Sequence, residues 1–159
     1  MTTSTSPSPF LRPVLLAGIA GGLAEIAWVS SYAALGPVSS AQVAREVTST
    51  VLGSGAGALA PALGILIHMV LAIAVAAGFA ALLWRHVERR FGGAGVMVAS
   101  LATLLAIWTV NFYVVLPAIN PAFVALMPLS VTLMSKALFG LAMGLALNRE
   151  PARVAVAAY

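Results

Sequence analysis

The sequence predicts an all-α, polytopic membrane protein: a compact bundle of four transmembrane helices, with a short amphipathic surface helix between spans one and two. Three observations carry that expectation. Of the 159 residues, 62% are hydrophobic and only 8% are charged, whereas a soluble domain is about 25% charged. Mean hydropathy is +1.06, so the chain cannot cover itself with solvated groups and needs lipid as its solvent. The apolar residues also fall into four runs, each long enough to supply the ~20 residues with which a helix crosses a bilayer.

The elements follow in order. Met1 to Pro9 is a Thr, Ser and Pro stretch with no core-forming residues, and residues 1–12 read as a disordered cytoplasmic tail. The apolar run after it outlasts the ~7–15-residue core of a signal peptide and lacks a convincing cleavage site, so it reads as a retained first span, residues 13–35. Pro13 suits the first helical position, where a missing N–H costs nothing, and Gly36-Pro37 ends the span. Within residues 37–58, Val43, Val47 and Val51 recur every fourth residue, with Gln42, Arg45, Glu46 and Ser49 largely elsewhere around the helix. That pattern predicts a short helix capped by Ser39 or Ser40. It either lies at the membrane surface or packs on the bundle as a loop helix. The Gly run from Gly53 to Gly57 turns the chain into span two, residues 59–84. It has neither the Lys-Ser/Thr end nor the preceding strand of a phosphate loop. Span three covers residues 95–116 and ends before Pro117. Span four covers residues 121–147, with Asn120 as N-cap and Pro121 at the first position. Pro128 predicts a kink or a restarted helix within it. Residues 148–159 read as a second cytoplasmic tail.

Charge sets the orientation. Arg12, Arg85, Arg89, Arg90, Arg149 and Arg153 fall on one side of the four-span arrangement, and Arg45 alone falls on the other. Basic residues concentrate on the cytoplasmic side, which places both termini and the Arg-rich loop there. The net charge of +4 is then a product of topology, and no nucleic-acid partner is needed. Trp84 and Phe91 at the inner face, and Tyr32 and Tyr113 at the outer, fit interfacial aromatic belts.

Each span carries one conspicuous polar residue: Glu25, His68, Asn111 and Lys136. An ionisable group at bilayer depth costs roughly 2.5–3.5 kcal/mol on insertion scales and must face the bundle interior. Glu25 lies 13 residues after Arg12, and Lys136 lies 13 residues before Arg149. At 1.5 Å per residue both sit roughly 20 Å from their basic anchors, which predicts an intramembrane ion pair. His68, 17 residues before Arg85, sits about a turn nearer the outer side, as does Asn111 in the outer half of its span. Gly18 and Gly22 share a side with Glu25, Gly64 with His68, and Gly140 and Gly144 lie near the side of Lys136. Small residues allow close helix approach, and the two Gly-x-x-x-Gly pairs make spans one and four candidate direct neighbours. Two readings of the quartet stand: a Glu25–Lys136 lock with His68 and Asn111 bonding between helices, or a polar path for an ion, proton or small solute.

Other chemistry is poorly supplied. With no cysteine, disulfides, thiolate metal sites and cysteine nucleophiles are excluded. With no Asp in the chain, a Ser-His-Asp triad is impossible, and no two carboxylates lie together in the membrane. His68-Met69 with Met127 and Met134 is a weak copper pattern, since methionines in apolar helices are usually packing residues. No metal, cofactor or enzymatic activity is expected.

The order of motifs resembles a group of small four-span bacterial inner-membrane proteins, some of which carry an automatic label of sodium:proline symporter. The resemblance rests on Leu16-Ala17-Gly18-Ile19-Ala20-Gly21-Gly22, Val51-Leu52-Gly53, His68, Val110-Asn111-Phe112-Tyr113 and Leu138-Phe139-Gly140, and spans Val14 to Leu147. It implies the same fold. Members of the group often have His where this chain has Lys136, so no proton or metal role is carried over. The symporter label implies a much larger transporter, with inverted repeats that this chain lacks. The functional expectation is a multi-pass protein for ion, proton or small-solute transport or permeation. The alternative is a non-enzymatic accessory or assembly subunit. The expected partners are the lipid bilayer and either a homo-oligomer or a larger membrane complex.

Overall fold

The structure, a computed structural model, describes residues 10–149, and every regular element among them is helical. The expected tail over residues 1–9 and the one beyond Arg149, with Arg153, lie outside the described residues. Helix α1 (Leu11–Leu35) is followed by α2 (Ser40–Leu52), a 3-10 turn (Gly53–Leu59), α3 (Ala60–Phe79) and a π-helical turn (Ala80–Trp84). Then come α4 (Arg85–Val110), a second π-helical turn (Asn111–Val115), α5 (Leu116–Ile119), α6 (Pro121–Leu126) and α7 (Leu129–Arg149). Among the described residues, three helical runs are long and apolar enough to cross a membrane: Leu11–Leu35, Leu129–Arg149, and the 80-residue run Ser40–Ile119 that links α2 to α5.

That middle run is interrupted where glycine permits it. Gly57 and Gly92 have φ of 52° and 62°, backbone that a residue with a Cβ adopts only under strain. The expected boundary at Trp84 is therefore displaced. Helix continues through Arg85, His86, Val87, Glu88, Arg89 and Arg90 up to the break at Gly92. These residues end the hydrophobic run without ending the helix, since Arg and Glu are good helix formers. Arg89 Nε also donates to the Arg85 carbonyl at 3.1 Å. Likewise the third helical run does not stop before Pro117. The chain widens into the π turn at Asn111–Val115 and passes Pro117 within α5; a wide turn absorbs the backbone bond that a proline cannot donate. The fourth run is split, as Pro128 led one to expect. Asn120 caps α6 by accepting from Phe123 N at 3.1 Å, Met127 is extended, and α7 restarts at Leu129. Ser39 caps α2 by accepting from Gln42 N at 3.1 Å.

Contacts fix the packing order. α1 sits between α7 and α3, α7 packs on α4, and α2 packs on α3, while α3 and α4 pair little with each other. The registers are antiparallel at each interface. Glu25 meets Lys136 and Gly21 meets Phe139. Gly22 meets Met69 where Gly18 meets Ile73, and Ser100 Oγ donates to the Gly140 carbonyl at 2.9 Å. One end of the molecule gathers the start of α1, the Gly92 break and the end of α7: Arg85 lies over the Phe10 ring, and Asn148 donates to the Gly93 carbonyl. The other end holds α2, α5 and α6.

Among lipid tails, burying Leu on Leu contributes little, so close approach and hydrogen bonds hold such helices together. A Cβ on Gly18 would stand 2.6 Å from Ile73 Cα, and one on Gly140 would stand 2.9 Å from Leu101 Cα. These contacts revise one expectation. Helices α1 and α7 are neighbours, but not through their Gly-x-x-x-Gly pairs. Gly18 and Gly22 face α3, and Gly140 and Gly144 face α4, where Ser100 and Met97 fill the space. The α1–α7 contact uses the adjacent stripe Gly21, Glu25 and Trp28, spaced i, i+4, i+7. Trp84 is a second correction. It does not stand in an interfacial belt: the π turn brings it inward, 4% exposed, into a core with Val14, Phe79 and Val96. Phe91 and Tyr113 are exposed at 65% and 60%.

Candidate functional site

The centre of the site is a carboxylate held by three helices. Glu25, on α1, is 8% exposed. Lys136 Nζ, from α7, donates to Glu25 Oε1 at 2.6 Å and to Oε2 at 2.7 Å. Ser135, one residue earlier, reaches Oε1 at 3.2 Å. From α3, His68 Nε2 stands 4.0 Å from Oε2 and 3.3 Å from the Gly22 carbonyl. A carbonyl only accepts, so His68 carries its proton on Nε2. Phe139 packs beside the pair. Its ring occupies the space that Gly21 leaves by having no side chain, and it lies 5.9 Å from Lys136 Nζ. A short two-oxygen pair of this kind keeps both charges where either alone would be very costly.

The pair does not sit in solid packing. It opens onto a cavity of about 270 Å³ lined by Glu25, His68, Lys136, Asn111, Ser135 and Thr132, with apolar walls from α1, α2, α3, the second π turn, α5 and α6. Helix α2 forms its roof. Val43 is buried and Val47 half-buried toward the cavity, while Val51 stands at its rim, 55% exposed. The roof is seated tightly on α3: Gly64 lies against the Ala44 carbonyl so closely that any Cβ would collide with it. Thr48, fully buried, donates to the Ala60 carbonyl at 2.5 Å. Of the two expectations for this helix, packing on the bundle describes its inner face.

The structure brings Glu25, His68 and Lys136 into one cluster and places Asn111 on the same cavity wall, without a bond to the other three. Four further groups matter, three that the sequence did not single out and one, Asn120, that it marked only as a cap. Ser135 is one, visible in principle as the polar neighbour of Lys136. Trp108 Nε1 donates to Thr132 Oγ1 at 3.0 Å and Trp28 Nε1 donates to the Val131 carbonyl at 3.0 Å; together they pin the first turns of α7, which carry Ser135 and Lys136. The fourth is Asn120, 8% exposed. Its amide Nδ2 lies 2.8 Å from Thr50 Oγ1, 3.2 Å from Ser49 Oγ and 3.3 Å from Glu46 Oε2. Asn120 therefore caps α6 and ties down the roof at once. We expect Asn120→Leu to lose about 2 kcal/mol from the cap and the carboxylate bond together, read as a lower unfolding temperature in detergent by tryptophan fluorescence. Asn120→Asp keeps the cap but sets a second carboxylate against Glu46, and is expected to be no better than Leu.

Among the described residues no group of three or more His, Cys, Asp or Glu side chains is arranged to hold a metal ion. No protein-family model, curated protein or solved structure matches this chain.

Proposed function

We propose that this chain is a four-span protein of a bacterial inner membrane, akin to the small membrane proteins it resembles, with both termini cytoplasmic. In this reading it binds and passes a small solute, ion or proton through the cavity at Glu25, His68 and Lys136. The spans are α1, α3 continued through the first π turn to Phe91, the part of α4 after the Gly92 break with the π turn that follows it, and α7. The Arg-rich end, by the positive-inside rule, is cytoplasmic. One observation carries the transport reading: a charged pair within apolar helices opens onto a cavity of about 270 Å³. A lock between helices needs the pair but not the space. Ionisable groups at this depth that face a cavity mark substrate and ion pathways.

The test is flux in proteoliposomes carrying an entrapped pH dye. Gradients of small carboxylates, amines, amino acids, Na+ and K+ are applied in turn. At least one is expected to dissipate faster than in protein-free vesicles, and a correctly assembled Glu25→Gln/Lys136→Met double variant is expected to abolish the difference. If no gradient distinguishes the wild type from empty vesicles, the transport reading fails. Stoichiometric foreign subunits on mild extraction from the native membrane would favour the accessory-subunit reading.

A further inference from the structure

We propose that the cavity is a binding site for a small, largely apolar monocarboxylate, taken up together with one proton that settles on His68. This deepens the transport reading and rests on it for what happens after binding.

Size comes first. An apolar protein cavity of ~150 Å³ takes up benzene; this one measures about 270 Å³. It suits a ligand somewhat larger than benzene, with an aromatic or branched aliphatic body and one polar group. The lining agrees. Val47, Ile65, Leu71, Phe112, Leu116 and Phe123 form apolar wall, while the ionisable groups Glu25, His68 and Lys136 are gathered in one cluster on it. A pocket that is apolar with a few convergent polar groups fixes an amphipathic ligand by its polar end.

The sign of that end follows from counting donors. Among the described residues, the titratable side chains on the cavity wall are Glu25, His68 and Lys136, one acid and two bases. Glu25 is already engaged by Lys136 and Ser135, with His68 beside it. The next acid, Glu46 on α2, is turned to Asn120 and Ser49. An incoming cation therefore finds no carboxylate that it need not share. An incoming carboxylate finds spare donors. The Lys136 ammonium has three protons and uses at most two on Glu25, and its side chain remains 19% exposed. The Asn111 amide stands on the same wall. His68 has Nε2 committed to the Gly22 carbonyl, so the neutral ring keeps its lone pair on Nδ1, where a proton adds to make a second donor. Neutral His68 leaves the cluster at zero net charge. An anion alone would bring one uncompensated negative charge into the membrane interior. An anion with one proton on His68 brings none, and the low local polarity couples the two events.

The experiment is calorimetric titration of the full-length protein in lipid nanodiscs with benzoate. It runs at about pH 8, where an imidazole of ordinary pKa is neutral, in buffers of different ionisation enthalpy so that protons are counted. Benzylamine serves as the charge-reversed probe of the same size. The expected result is saturable benzoate binding with uptake of about one proton per ligand, and no benzylamine binding. His68→Gln keeps an amide donor for the Gly22 carbonyl but cannot titrate. It is expected to lose the proton uptake and to weaken binding about tenfold, the loss of one bond to a charged group. Asn111→Leu, which touches no member of the ion pair, is expected to weaken benzoate by a similar factor with proton uptake intact. Benzylamine binding in place of benzoate overturns the proposal. So does uptake that persists in His68→Gln, because the acid itself then carries the proton. If neither probe binds while another solute is carried in proteoliposomes, the proposal falls and the transport reading stands. If benzoate binds with its proton but no solute crosses, the binding site stands and the transport reading falls.

Discussion

Replacing Lys136 with methionine is expected to be the most damaging single change in the chain. It leaves Glu25, 8% exposed, with Ser135 and His68 in place of the ammonium that now bridges both its oxygens. Breaking a buried pair from one side costs about 3–5 kcal/mol, because the surviving charge is stranded. Glu25→Gln strands the ammonium instead, and is expected to be milder, since Lys136 retains its cavity exposure and the face of Phe139. The double variant Glu25→Gln/Lys136→Met removes both charges and is expected to recover most of the loss, as two uncharged side chains of similar volume replace a desolvated pair. Membrane accumulation and unfolding temperature in detergent read all three. If the double is as unstable as the sum of the singles, the two side chains do not act as a pair.

The second large effect is expected at Gly64. Any side chain there collides with the backbone carbonyl of Ala44, and neither partner is the mobile end of a flexible group. Gly64→Val must push α2 away from α3, breaking the Thr48–Ala60 hydrogen bond and lifting the roof of the cavity. Overpacking of this kind costs about 1–3 kcal/mol, and more where backbone blocks relaxation, so the upper end is expected. Gly55→Ala is the matched control. Nothing lies within 4 Å of the added atom, and the shorter list of unfolded conformations is expected to leave stability unchanged or raised by a few tenths of a kcal/mol. Equal losses at the two positions would mean that α2 is not seated as described.

The helical character of the chain was legible from hydropathy alone, and the Glu25–Lys136 pairing from the spacing of the charges along it. Each residue's distance from its Arg anchor is a depth, and matched depths of opposite charge imply contact. The ends of the helices were not legible from the same signal. Hydropathy reports where lipid would stop, whereas the chain turns where Gly92 allows a φ of 62°, a full helical segment later. The π turns at Ala80–Trp84 and Asn111–Val115 have no sequence signature of their own, yet they decide that Trp84 faces the core. The Gly-x-x-x-Gly pairs signalled close approach correctly but not the partner, since adjacent stripes on one helix serve different neighbours. Asn120 was read as a cap and no more. Its bonds to Glu46, Ser49 and Thr50 span about 70 residues of sequence, and nothing local announces them.

In the proposed reading, the space beside Glu25 and Lys136 is a solute site reached from water on one side of the membrane. The chain has no cysteine, so a single introduced one reports without background. Val47→Cys places a thiol on the cavity wall, and Val70→Cys places one on the outer surface of α3, 57% exposed and away from the cavity. The measurement is labelling by a membrane-impermeant thiol reagent in oriented vesicles, with and without benzoate. The thiol at position 47 is expected to label from the side opposite the Arg-rich end and to be protected by benzoate, while the thiol at position 70 is expected not to label. A position 47 that stays unlabelled from both sides, or that labels no faster than position 70, would rule out a water-accessible solute site there.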